Sequence, residues 1–220
     1  MCGRFTLTTT NEELMHRFAL KTEQNYPNRW NIAPSQTSLT LTQNRMPENT
    51  ISNLSLNTQD RFGVWQSNLA KRIINARSET LSEKPLFKEA FKHQRCLVLA
   101  SGWYEWDAEK TPYYISLKDS RVMAFAGLRF NQGEQACFVI VTAAAKGNLA
   151  RLHHRTPLLL QRKYWQHWLG KSQSIEDECL DAAEGHFFKW HKVSKAVGNV
   201  ANDNASLILP NTEQHPPLLP

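Results

Sequence analysis

The chain has 220 residues, of which 41% are hydrophobic, and its seven Trp and ten Phe supply enough apolar surface for a sizeable core. Lys and Arg outnumber Asp and Glu by 26 to 20, a formal charge of +6 that favours an anionic partner, nucleic acid first. No apolar run is long enough to span a bilayer and the N-terminus lacks a signal-peptide layout, so membrane and secreted classes are excluded and a soluble cytoplasmic protein is expected.

Cys2 stands one residue from the start of the chain. Aminopeptidases remove an initiator Met when the next side chain is small, which would leave an α-amine of pKa roughly 7.7–8.0 beside a thiol of roughly 8.5. Near neutral pH both would be partly nucleophilic. Such a 1,2-aminothiol condenses with an aldehyde to an imine and then closes through sulfur to a thiazolidine. These residues alone leave open a small side chain in a frayed terminus.

Thr10 reads as the N-cap of a short helix, with Glu12 and Glu13 in its first turn and Leu14, Met15 and Phe18 as its apolar stripe. Asn31-Ile32-Ala33-Pro34 then forces an extended segment. Strands are expected over 38–42, 51–56 and 60–65, with polar connectors at 44–49 and 57–60. The basic pair Lys71-Arg72 reads as part of a solvated face. Pro85 suits the first turn of a helix over 84–92 that turns Leu86, Phe87 and Phe91 inward.

Cys96-Leu97-Val98-Leu99-Ala100 is a continuous apolar run, expected of a strand buried on both faces. Ser101 to Trp106 continues it and places one carboxylate, Glu105, among three aromatics. An apolar setting raises such a pKa into the range useful for proton transfer, although a surface Glu between strand aromatics is the plainer alternative. Further strands are expected at 112–117, 122–128 and 136–142, with turns at 118–120 and 131–133. A short helix over 148–152 leads into His153-His154-Arg155-Thr156-Pro157, a loop suited to handling a proton and a phosphate together if its His is not merely structural. A strand at 158–160 follows. A helix over 162–169 is then stopped by Gly170, with Tyr164, Trp165 and Trp168 in the core. A strand at 187–193 and a loop at 194–200 precede a disordered tail. The four Cys lie far apart with no CxxC pair, which argues against a zinc site and a disulfide framework, and Cys96 and Cys137 read as buried small apolar residues.

Taken together, Met1-Cys2-Gly3-Arg4-Phe5, Asn31 to Pro34, Ile74 to Thr80, Arg95 through Trp106, Leu152 to Pro157 and Val193 to Asn199 resemble the SRAP family, the SOS response-associated peptidases. The resemblance runs in order over nearly the whole chain. It implies an α+β fold, a single mixed domain over 1–209 with a β-rich, barrel-like core and a basic DNA-binding cleft, followed by a tail at 210–220. Members of the family recognise abasic sites in single-stranded DNA and link to them covalently.

The resemblance assigns Cys2 the role of nucleophile, first as amine and then as thiolate, towards the open aldehyde of an abasic deoxyribose. Glu105 would move protons and assist removal of Met1, His153 would act on the sugar oxygen and support reversal of the link, and Asn75 would position the sugar. Arg4, Arg77 and Arg155 fall where family members hold phosphates, and Pro34 and Trp65 complete the expected DNA-binding set. No metal or cofactor is implied. The expected partner is single-stranded DNA containing abasic sites, met by a monomer in the company of replication-fork proteins. In two places the chain departs from the family: Phe62-Gly63 stands where Trp-Gly is usual, which puts the aromatic wedge on Trp65 or removes it, and Thr156 stands where Met is common. Two rival readings are an N-terminal-Cys amidohydrolase, which shares the Met-Cys-Gly start but lacks its downstream motifs here, and a non-catalytic single-strand binding module, which would need neither Cys2 nor Glu105.

Overall fold

A computed structural model of the chain describes residues 2–20, 26–43, 54–119, 121–170, 175, 177–180 and 187–211. The connector expected at 44–49, the start of the strand expected from Ile51, Ser120 and residues 212–220 lie outside that range.

Strand β1 (Arg4–Leu7) leads to α1 (Asn11–Phe18), which starts where the Thr10 side chain accepts from the Glu13 amide and stops at Ala19 in the left-handed region. Then come β2 (Arg29–Ile32), β3 (Thr37–Gln43) and β4 (Leu54–Phe62), with β5 (Val64–Gln66) and β6 (Lys71–Ile73) forming a short hairpin before β7 (Asn75–Arg77). Helix α2 (Pro85–His93) opens on Pro85 and buries Phe87, Ala90 and Phe91. After it run β8 (Arg95–Ala100), β9 (Gly102–Trp106), β10 (Pro112–Leu117), β11 (Met123–Gln132) and β12 (Gln135–Ala144). Helix α3 (Leu149–Leu152), β13 (Arg155–Pro157), α4 (Trp165–Leu169) and β14 (Phe188–Lys192) complete the order. Among the described residues no helix is long and apolar enough to cross a membrane.

Five strands close into a barrel in the order β11-β8-β3-β4-β12, shut by the β11–β12 hairpin. Gly133 takes φ +61° at its turn, a conformation that a side chain would resist. A second sheet, ordered β14-β10-β9-β1-β2, lies outside the ring. The chain passes from one sheet to the other at Ser101, whose amide donates to the Thr6 carbonyl at 2.8 Å. Every residue of β8 is buried, as its unbroken apolar run predicts. Aromatic side chains pack edge to face between the sheets, at Phe5–Phe62 and Trp103–Phe125, and within the second sheet, at Trp103–Phe188. Phe5 meets Phe62 at 5.4 Å and 82°, and Trp103 meets Phe125 and Phe188 at 5.8 and 5.2 Å.

Several expected elements take a different form. The polar stretch 57–60 is not a connector, because it runs inside the single nine-residue strand β4. Its one buried polar side chain is satisfied there: Asp60 accepts from Thr40 Oγ1 at 2.6 Å and from Arg129 Nε at 2.8 Å. Leu158 to Leu160 is not a full strand. Its amides turn to different partners, Leu158 to Val141 and Leu160 to Ala124, and only Leu159 bridges Phe125. The helix expected over 162–169 begins as a 3-10 turn at Arg162–Tyr164. Lys71 is exposed, but Arg72 is half-buried and donates to the Gly63 carbonyl at 2.6 Å, so the pair is not wholly a solvated face. Cys96 and Cys137 are buried free thiols, as expected.

Candidate functional site

Three parts of the chain converge at the C-terminal end of β12. Its one edge pairs with β7 in parallel, Asn75 opposite Ile140 and Arg77 opposite Thr142. Its other edge pairs with β13, Arg155 opposite Ala144, two residues after His153. The N-terminus arrives from the second sheet, where β1 pairs with β9 through Arg4–Tyr104 and Phe5–Trp103. Continuing that antiparallel register brings Cys2 to the Glu105–Trp106 end of β9. Asn75 joins the two sheets by donating from Nδ2 to the Cys2 carbonyl at 3.1 Å and to the Ile140 carbonyl at 3.4 Å. The Asn75 Oδ1 atom is buried and accepts no hydrogen bond among the described residues, so an acceptor stands ready in the site.

The electrostatics follow from burial. Glu105 is 3% exposed, and desolvation lifts its carboxyl from an ordinary 4.5 to about 7, with the positive terminal amine of the chain offsetting part of the effect. Cys2 is fully buried. Desolvation first, and then the neighbouring Glu105 charge, push its thiol well above its usual range, while the terminal amine pulls the other way. In the chain that still carries Met1, burial therefore favours the protonated thiol; the expectation of a partly ionised thiol concerns a chain that begins at Cys2. His153 is also pushed down by desolvation, against a hydrogen bond to the Arg155 backbone that favours its charged form. Its Nδ1 lies 3.0 Å from both the Arg155 amide and the Arg155 carbonyl, so it accepts from the one or donates to the other according to the ring's tautomer.

The arginines fall into two groups. The Arg77 side chain is exposed and has no hydrogen bond or ion pair among the described residues. Arg155 is buried and its fork is occupied: Nη1 and Nη2 donate to the two Glu79 carboxylate oxygens at 2.5 and 2.9 Å, and Nη2 also donates to the Thr142 carbonyl. The Arg155 pairing in turn holds Glu79 down to about 2. Arg4 is tied to the C-terminal loop, donating to Asn31 Oδ1 at 2.9 Å, the Val197 carbonyl at 2.7 Å and the Gly198 carbonyl at 3.1 Å. Asn31 is fully buried, and its Nδ2 reaches the carbonyls of Val197, Asn199 and Asn202. Asp203 locks the arrangement by accepting from the Trp30 and Asn31 amides and from Arg29 Nε.

Trp65 is 48% exposed on the β5–β6 hairpin, its backbone clamped by Gln132 through bonds of 2.9 and 2.6 Å. Pro34 lies in the turn after β2, next to Ser35, whose amide donates to the Phe62 carbonyl at 2.8 Å. Pro34 thus lies beside, and Trp65 within, the 62–66 segment that leads towards Asn75, and neither lines the cavity next to it. A cavity of about 800 Å³ opens there, lined by Lys71, Asn75, Arg77, Lys84 and Phe87 among others, with three cations and no carboxylate on its walls. Sequence reasoning missed Glu79, Lys84, Asp203 and the part played by Asn31. Glu79 and Asn31 lie inside quoted motifs, which was their only signal.

A model of the family described as SOS response associated peptidase (SRAP) matches residues 1–200. The chain is 33% identical to abasic site processing protein YedK of Escherichia coli (strain K12), covering 96% of this chain and all of that protein. It is 31% identical to abasic site processing protein YoqW of Bacillus subtilis (strain 168) over 94% of this chain and 99% of that one. Among solved structures, a protein from Bacteroides thetaiotaomicron superposes with TM-score 0.75 at 18% identity, covering 95% of this chain and 99% of its own. A phage-related protein from Bordetella bronchiseptica superposes with TM-score 0.71 at 26% identity, over 88% and 95% of the two chains. Sequence, motif order and fold agree, and the chain belongs to the SOS response associated peptidase family.

Proposed function

We propose that the chain captures abasic sites in single-stranded DNA by a covalent bond through Cys2, once Met1 has been removed. The observations that support this reading are the Asn75 hydrogen bond to the Cys2 carbonyl, the Glu105 charge acting on the Cys2 thiol, and the chain's terminal amine acting on both Glu105 and His153, around one carboxyl of pKa about 7. The names of the relatives support the substrate.

In the proposed reaction the Cys2 amine adds to the C1′ aldehyde of the open sugar, and the carbinolamine loses water to give an imine. The Cys2 sulfur then attacks the imine carbon, its proton passing to nitrogen, and the thiazolidine closes with no redox change. Glu105 is suited to both directions of proton transfer, because its pKa lies near the operating pH. Burial favours the protonated thiol, so a base close by would help its sulfur react. Asn75 Oδ1 would accept from a sugar hydroxyl, and His153 would donate to the sugar oxygen. Glu105 is also the group we assign to the self-removal of Met1. Of the three arginines expected on phosphates, Arg77 is the best placed, with Lys71 and Lys84 lining the same cavity. Arg155 serves instead as a brace that holds the His153 loop against Glu79 and Thr142.

The test is to incubate protein, verified by mass to begin at Cys2, with single-stranded DNA carrying one abasic site, without borohydride, and to run a denaturing gel. A shifted band that survives boiling and disappears with intact DNA or with Cys2→Ala supports the proposal. Binding that Cys2→Ala leaves unchanged, with no covalent band from either protein, would replace it with a non-catalytic binding module.

A further inference from the structure

A second cavity adjoins the site on the outer sheet. Antiparallel pairing sets Tyr113 directly opposite Glu105, and Lys192 directly opposite Tyr113, so all three share one face of that sheet. Trp190 lies two residues along β14 from Lys192 and faces the same way. Helix α3 ends at Leu152, immediately before His153. Between these elements is a space of about 440 Å³ lined by Asp107, Tyr113, Asn148, Arg151, Leu152 and Trp190. It borders the Glu105 rung on one side and the approach to His153 on the other, yet none of the assigned catalytic or phosphate-holding residues lines it.

Its chemistry differs from that of the basic cavity. Two aromatic rings offer stacking surface, and the single cation, Arg151, is balanced by the Asp107 carboxylate, in contrast to the three unopposed cations of the basic cavity. Asp107 Oδ1 accepts from the Glu109 and Thr111 amides at 3.0 and 2.8 Å, which orients the side chain. Its Oδ2 has no hydrogen bond among the described residues, nor do the Asn148 and Arg151 side chains. The walls thus combine a planar apolar platform with one fixed acceptor and two further polar groups. That set matches a nucleobase edge, not a sugar-phosphate backbone.

We propose that this cavity is a base-reading subsite, which takes the nucleobase next to the abasic sugar and prefers a base with an exocyclic amino donor over thymine. The inference rests on the abasic-site reading above and adds a sequence preference to it. Asp107 Oδ2 receives the amino group, and Trp190 or Tyr113 stacks on the ring.

The experiment compares oligonucleotides carrying each of the four bases immediately 5′, and then immediately 3′, of the abasic site. Initial rates of adduct formation are measured at subsaturating protein for the wild type and for Asp107→Asn. Asn keeps the oxygen that caps the 107–111 turn and replaces Oδ2 with an amide donor, so folding is preserved while the preference is inverted. Guanine, adenine or cytosine should exceed thymine by about fivefold or more at one of the two positions, and Asp107→Asn should abolish or reverse that order. Equal rates for all four bases at both positions, or an unchanged order in Asp107→Asn, would overturn the subsite. The same oligonucleotides with a tetrahydrofuran in place of the abasic sugar, titrated by fluorescence anisotropy, give the base order without any covalent step. A base order there with no adduct from any DNA would sink the covalent reading and leave the subsite standing.

Discussion

Replacing Glu105 with Gln should make the protein more stable and less active, by an amount that depends on pH in a defined way. The amide has nearly the shape of the neutral acid, so the substitution removes ionisation with little change in packing. Burial raises the Glu105 pKa from 4.5 to about 7 in the folded state. Below pH 4.5 both the folded and unfolded chains hold the proton, and the variant should match the wild type. As pH rises from there the folded state keeps its proton longer than the unfolded one, so wild-type stability falls, and the loss is complete above about pH 7. The gap between 4.5 and about 7, at about 1.4 kcal/mol per pH unit, comes to about 3 kcal/mol. Because the group is 3% exposed, solvent screening takes little from this figure. At pH 8, Glu105→Gln should therefore melt about 6–12 °C higher than the wild type. Thermal or urea denaturation at pH 4.5, 6 and 8, on proteins matched by mass at the N-terminus, reads the effect directly. A stability difference that does not grow with pH, or a variant less stable at pH 8, would refute the idea that this carboxyl is held against its ionisation.

Glu79→Gln removes the charge that occupies the buried Arg155 fork. Because Glu79 is half-exposed, the expected loss is only about 1–2 kcal/mol at pH 7. The benefit of this pair is present above pH 4.5 and lost as pH falls towards about 2, so urea midpoints of the two proteins should converge in acid. Gly102→Ala would set a methyl 2.4 Å from the Tyr114 hydroxyl and 2.6 Å from the Ile115 carbonyl, and should cost about 2–3 kcal/mol by thermal melting. Asp203→Ala strands the Trp30 and Asn31 amides and leaves Arg29 Nε without its carboxylate, with an expected loss of about 2–4 kcal/mol in urea. Loosening Asn31 should also slow the adduct with DNA, because Arg4 is held through it; an unchanged rate would separate the two. Across 50 to 200 mM salt the wild type should bind single-stranded DNA progressively more weakly, and Arg77→Ala should flatten the slope by about one unit.

Local patterns were legible where a single element explains itself. Thr10 caps a helix, Pro85 opens one, and the apolar run from Cys96 to Ala100 forms a strand buried on both faces. Reading failed where polarity was taken as a break. Residues 57–60 look like a connector because four polar groups lie in a row, and only the distant partners Thr40 and Arg129 make Asp60 an acceptable interior residue. Leu158 to Leu160 looks like a strand because it is apolar, but its amides are divided between β11 and β12.

The sequence by itself determined the chemistry on offer: a thiol beside the chain terminus, a carboxyl among aromatics, a His-His-Arg segment and an Asn-Ala-Arg segment, in an order that resembles one family. Those features are local or are carried by the resemblance, so no distance enters them. Only the tertiary structure decided how they act on one another. Burial sets the proton on Cys2 and lifts Glu105 to about 7, and burial is a property of the closed barrel and its outer sheet. Likewise, three arginines of equal standing in sequence became one exposed cation, one tether to the C-terminal loop and one buried brace, because pairing depends on carboxylates and carbonyls from segments far along the chain.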